Sequence, residues 1–428
     1  MDAKYLGAFA RAGHARAGAL VGVVGAVALV CGALAPVAQA AAPGTGTPGG
    51  PATAARAVVG SGLPPLRSPQ LPPLDPAALQ AAVSGLPNAD ITGALAQVND
   101  LQSGDTWRGV SGLGDVATGS APSPSDRFRI GSVTKVFTAT VALQLVASHQ
   151  VSLADSIQHY LPGELPASYP PITVAELLNH TSGLPGVNVG DDEGDPAGFV
   201  THRFEHPTPQ QIVGALAGEP MAFTPGTAQR YNGVNYFLLG MLIEHVTGHS
   251  YADEVDARII KPLKLRDTSV PAATSYRIAG PHLHGYLAVP AADGRGATTL
   301  VDVTEQSPYP WAEGGMISSA RDLRTLMVAL FTGRLLPNAE LDDMFTVPDV
   351  PYMGTDHCTG QACFGMGLMS AAIGDITVWG KTGSRPGYTD GVFATRDLQR
   401  VLVYAFSPTS ESVNTTPFIL GIAKATLS

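Results

Sequence analysis

Apolar and polar positions along this chain fall into two regimes, strand-like at both ends and helical in the middle. Ile91 to Val98 and Thr106 to Gly112 read as strands around the turn Gln102-Ser103-Gly104-Asp105. A short helix precedes them, with Asp75 as cap, Pro76 at its first position and Val83 at its end. The middle carries helix signals. Thr173 and Glu176 form a capping box, and so do Thr208 and Gln211, with Pro209 at the first position. Tyr236 to Val246 is a helix stopped by Gly248. Ser250 caps the next, which Pro262 closes, and Ser319 opens another that ends at Gly333. The tail returns to short β-like runs, Ala362 to Ser370, Ile376 to Trp379, Tyr388 to Ala394 and Arg400 to Phe406, before a helix over Thr416 to Thr426. This order predicts an α+β fold: one antiparallel sheet built from both termini, flanked by helices, with a mostly helical lobe inserted and a cleft between the two.

Composition narrows the function classes. The 428 residues are 45% hydrophobic and 14% charged, enough for a sizeable core. A formal charge of −10 argues against nucleic acid as a partner. Lys4, Arg11 and Arg16, the apolar run Ala17 to Ala35 and Ala38-Gln39-Ala40 read as an export signal with its cleavage site. The expected organisation is therefore a signal peptide over 1–40, a Pro/Gly/Ala-rich linker over 41–75 and a folded domain over 76–428. The location follows as secreted or wall-associated, with membrane contact only if the first segment stays uncleaved. Val30 before Cys31 argues against lipidation. In an exported chain the remaining pair, Cys358 and Cys363, reads as a short disulfide.

Chemistry concentrates at Ser132-Val133-Thr134-Lys135, which opens the apolar run Val136 to Val146. Positions i and i+3 share a helix face, so Ser132 and Lys135 point the same way. A serine needs a base to become a nucleophile, and a lysine desolvated by apolar neighbours can be one. Tyr231-Asn232-Gly233 and Lys381-Thr382-Gly383 follow downstream.

Together with Phe128-Arg129-Ile130-Gly131, Leu178 to Leu184, Asn235 to Gly240, Glu313-Gly314-Gly315-Met316 and Ser319 to Leu323, these segments resemble, in order and spacing, the serine β-lactamase / D-alanyl-D-alanine carboxypeptidase family on its class C side. The resemblance spans roughly Asp90 to Phe406. It implies a β-lactamase/transpeptidase-like fold and an acyl-enzyme on Ser132. Lys135 would be the base, Tyr231 would share that role under the field of Lys135 and Lys381, and the N–H groups of Ser132 and Ser384 would hold the oxyanion. Lys381, Thr382 and Gly383, with Arg385, would bind a substrate carboxylate. One position departs: the family's Tyr-x-Asn has Gly233 in third place. The side chain that contacts the lysine and the substrate amide is missing, and Asn232 or Asn235 would have to replace it.

The expected activity is a D-alanyl-D-alanine carboxypeptidase-type cleavage of cell-wall peptides. Esterase or β-lactamase activity on the same scaffold, and a non-catalytic binder of wall fragments, are the alternatives. The substrate would be a small peptide, β-lactam or ester, and no cofactor is expected. Other clusters read as structural. His180 packs at a helix end, since Ser182 has no nucleophile elbow. The pairs His202/His206, His245/His249 and His282/His284 lack a metal motif. Asp191 to Asp195 is a solvated acidic loop, and Trp311 belongs to the core or walls the cleft.

Overall fold

β1 (Ile91–Asp100) is buried along its whole length because it lies inside a sheet. In this computed structural model, which describes residues 69–187, 194–291 and 297–428, β1 is flanked by β2 (Thr106–Gly112) on one side and by β6 (Arg400–Pro408) on the other. The sheet continues through β5 (Tyr388–Thr395), β4 (Ile376–Arg385) and β3 (Met369–Ile373) in the order β2-β1-β6-β5-β4-β3, antiparallel throughout. It is thus built from both ends of the chain, as the pattern predicts.

Alternation along a strand sends successive side chains to opposite faces. Leu95, Val401, Val403 and Ala405 enter the large core shared with the helical lobe. Ala94, Ala96, Val98, Leu402, Tyr404 and Phe406 enter a second core. The terminal helices, α1 (Pro76–Val83) and α5 (Thr416–Leu427), supply Leu79, Val83, Ile419 and Ile422 to that second core. In the lobe, α2 (Thr134–Ala147) is buried on nearly every side, which explains its unbroken apolar run. Beside it runs α3 (Val234–Thr247), stopped by Gly248 in the left-handed region at φ 72°. α4 (Ala320–Phe331) starts at the Ser319 cap and backs the sheet. Both capping boxes form.

Several expectations shift. The run 362–370 becomes a strand only from Met369. Before it, Cys358 and Cys363 close a disulfide, and Gly365 lies where a Cβ would stand 2.2 Å from the Met344 carbonyl oxygen. Only a glycine fits such a close approach. β4 runs six residues past Trp379 because it keeps pairing with β5 to Arg385. Pro262 sits within the final helical turn, which ends at Lys264. The pairs His202/His206 and His245/His249 share no helix, since those helices stop at His202 and Thr247.

The proposed leader, the linker through residue 68 and the acidic residues 191–193 lie outside the described residues. Residues 69–75 lie against the β5–β6 turn. Leu71 N–H donates to Gln399 Oε1 at 3.0 Å, and Arg400 donates to the Pro72 carbonyl. No described helix is long and apolar enough to cross a membrane.

Candidate active site

A two-stranded ribbon, Arg127–Arg129 against Ile317–Ser319, brings the Ser132 turn alongside the Glu313-Gly314-Gly315 segment. Ser132 lies in the single 3-10 turn Gly131–Val133 that feeds α2. Gly131 has φ 42°, and a Cβ there would stand 2.4 Å from the Ser384 carbonyl oxygen. Only glycine lets this turn touch β4. Gly383 acts similarly, since its Cβ would stand 2.1 Å from the Ile130 carbonyl oxygen. The backbones of Ser132 and Ser384 are thereby held side by side across the cleft.

Lys135, in the first turn of α2, is fully buried. Its Nζ lies 2.9 Å from Ser132 Oγ and 2.9 Å from the Glu313 carbonyl oxygen, and it is ion-paired to Glu313 Oε1. Burial pushes its pKa down, against the opposing pull of Glu313. Tyr231 donates to Ser132 Oγ at 2.7 Å. The buried Gln229 anchors its segment by donating to the Asn179 and Phe364 carbonyls and accepting from the Cys363 and Phe364 N–H groups. The Tyr231 ring packs on His180 at 4.6 Å and His357 at 4.5 Å. His357 immediately precedes the disulfide-bonded Cys358, and burial holds its pKa down at about 4.

Two cations do lie near Tyr231, with Lys135 Nζ at 4.9 Å and Lys381 Nζ at 4.7 Å from the ring centroid. The phenol is nevertheless pushed well above its ordinary pKa, first by burial and then by Glu313. Desolvation outweighs the field that the sequence suggested, so Tyr231 is a neutral donor. Lys381 reaches in from β4, donates to the Thr382 carbonyl at 3.0 Å, and is lowered to about 7, by burial first and then by Lys135.

These side chains meet in a cleft of about 740 Å³ that also exposes Thr382, Gly383 and Ser384. Arg385 lies on its wall but spends its guanidinium on Gln306 Oε1, at 3.1 and 2.8 Å. The Asn232 amide is committed to backbone. It donates to the Leu184 and Pro185 carbonyls at 2.8 and 3.1 Å and accepts from Val234 N–H at 2.9 Å. Asn235 accepts from Ser182 Oγ at 2.7 Å and contacts His180. Neither asparagine reaches Lys135. The lysine's carboxylate partner is Glu313, to which sequence reasoning gave no role. The available signal was a glycine where an asparagine belongs.

A serine bonded to a buried lysine and a neutral tyrosine, between an antiparallel sheet and a helical lobe, is the arrangement of a serine hydrolase. The chain belongs to the Beta-lactamase family, whose profile matches residues 79–417. It is 30% identical over 292 residues to Esterase EstB of Burkholderia gladioli, covering 63% of this chain and 72% of that protein. Among solved structures it resembles a D-stereospecific amidohydrolase from Streptomyces sp., at 36% identity and TM-score 0.66 over 80% of this chain and 96% of that one. It also resembles the D-amino acid amidase from Ochrobactrum anthropi SV3, at 25% identity and TM-score 0.66 over 82% and 98%.

Proposed function

We propose that this hydrolase cleaves the amide bond beside a D-amino acid residue in a small peptide, with the D-alanyl end of a wall peptide as its natural form, and that it acts outside the cell. The observation that carries the reading is Ser132 Oγ held between the Nζ of fully buried Lys135 and the hydroxyl of Tyr231. Neutral Lys135 takes the Ser132 proton as Oγ bonds to the carbonyl carbon. The carbonyl electron pair moves to oxygen, facing the Ser132 and Ser384 N–H groups. On collapse the C–N bond breaks and the leaving amine takes a proton from Tyr231, which regains one from Lys135. Water then releases the acyl group by the same path. Support for D-selectivity comes from the D-stereospecific amidohydrolase, the more similar of the two structures described.

Incubation with a penicillin followed by intact-mass measurement tests the nucleophile. A covalent adduct absent from Ser132→Ala is expected. Turnover of D-alanine p-nitroanilide well above its L isomer tests the selectivity, and equal rates would overturn it. Processing of the secreted chain near Ala41, read by N-terminal mass, tests export.

A second reading, an esterase, is favoured by Gly233, which removes the family's amide-reading side chain, and by the likeness to EstB. Cleavage of p-nitrophenyl acetate with both anilides left intact would select it.

A further inference from the structure

Gly233 has a structural counterpart rather than being a simple loss. It stands at the N-terminus of α3, and Gly240 lies seven residues, or two turns, further along the same face. The turn Trp311–Glu313 packs into the smooth stripe they leave. A Cβ on Gly240 would meet the Trp311 ring at 2.6 Å. A Cβ on Gly233 would meet both Glu313 Cγ and Oε1 at 3.0 Å. An asparagine at 233 would therefore press on this carboxylate and require it to give way.

The carboxylate completes a set. Lys135 Nζ faces three acceptors, Ser132 Oγ, the Glu313 carbonyl oxygen and Glu313 Oε1. An ammonium has three N–H donors, so this arrangement matches the lysine after it has taken the serine proton. The Glu313 side chain is 15% exposed at the cleft wall. Other charged or titratable groups face the same centre. Lys381 comes from β4, and Tyr231 precedes α3, which carries Tyr236. Asp356 lies two residues before the disulfide loop, and His180 and His357 are held neutral by burial.

We propose that Glu313 is a positioning residue of this hydrolase, serving as the counter-ion that holds and neutralises Lys135 as it takes the Ser132 proton, in the space that Gly233 leaves open. The inference rests on the acyl-enzyme reading above. It assigns to a carboxylate the contact with the lysine that the family gives to an asparagine. It parallels the buried aspartate that stabilises the imidazolium in a Ser-His-Asp triad.

The test compares the parent, Glu313→Gln, Glu313→Ala, Gly233→Asn and the double variant Gly233→Asn/Glu313→Ala. Each is assayed from pH 5 to 9.5 on p-nitrophenyl acetate and D-alanine p-nitroanilide, with thermal melting as the fold control. In Glu313→Gln the plateau kcat should fall about 10- to 100-fold with little change in KM. Removing the anion disfavours the ammonium, so the acid limb should move to lower pH, by about 1–3 units. A merely structural glutamate would not move that limb. Gly233→Asn alone should lose activity by displacing Glu313, and the double variant should recover at least about tenfold over Glu313→Ala. The inference is overturned by a Gln variant whose pH profile superimposes on the parent's. If that variant does not fold, a double variant no better than Glu313→Ala overturns it. A parent that turns over neither substrate overturns the hydrolytic reading, and this inference with it.

Discussion

Lys381 Nζ lies 4.7 Å from the centroid of the Tyr231 ring, so the amine across the cleft from the nucleophile is tied to the phenol that touches it. Burial and Lys135 lower Lys381 to about 7, and its charge fades as pH rises through neutrality. Substrates that present a carboxylate should show a KM that climbs above about pH 7, while neutral esters should not. Parallel pH–KM curves for a D-alanyl dipeptide and p-nitrophenyl acetate check this. Identical curves would mean that Lys381 binds no carboxylate.

Lys135 must be able to lose its proton. Arginine keeps its charge at any working pH. Lys135→Arg and Lys135→Met should each lower kcat by about 10²–10⁴-fold. The methionine variant should melt below the parent temperature, because it leaves the mostly buried Glu313 carboxylate without its partner. Steady-state rates and thermal melts decide, and a Lys135→Arg variant near parent activity would remove the lysine from the proton path.

Gly131 is the contact point between the serine turn and β4. Gly131→Ala adds a Cβ 2.4 Å from the Ser384 carbonyl oxygen at a residue with φ 42°. The expected cost is about 1–3 kcal/mol of stability, with kcat reduced roughly 10²-fold as the two proposed oxyanion donors part. Denaturant titration and kcat on the acetate ester measure both. Full activity at parent stability would show that the turn tolerates the shift.

The Cys358–Cys363 disulfide closes the loop that follows His357, whose ring packs on Tyr231. A five-residue separation closes a small ring, so the paired Cys→Ser variant should lose only about 2 kcal/mol. Activity should fall several-fold because Tyr231 loses a wall of its socket. Melting and kcat with and without reductant test this, and unchanged kcat would separate the loop from catalysis.

What was legible in the sequence was what lies close along the chain or repeats with a fixed period. Ser132 and Lys135 meet because they are three residues apart where a 3-10 turn runs into α2, and β1, β4, β5 and β6 announce themselves by short apolar runs between turns. The strand placed at 362–370 fails because a disulfide and close-packed glycines turn that segment, and neither constraint leaves a trace in hydrophobic period. Asn232 stands next to the missing asparagine's position, but its amide is consumed by the backbone of Leu184, Pro185 and Val234. The partner of Lys135 is 178 positions away, and only the packing of α3 against the 311–313 turn shows that Gly233 makes room for it. Tyr231 was expected to be acidified by its two cationic neighbours, yet burial, which the sequence does not display, dominates.

The pairing of β1 with β6, from Ile91 opposite Pro408 to Asp100 opposite Arg400, also sets an order of events in the protein's life. The nucleophile is synthesised 249 residues before Lys381. Until the closing strands emerge, β1 has β2 as its only sheet neighbour, and the wall opposite Ser132 does not exist. Such late, long-range closure makes folding slow and leaves one edge of an apolar strand unpaired for most of synthesis. A hydrolase built this way is inert while nascent, and it becomes competent to cut only after the last fifth of the chain has been delivered.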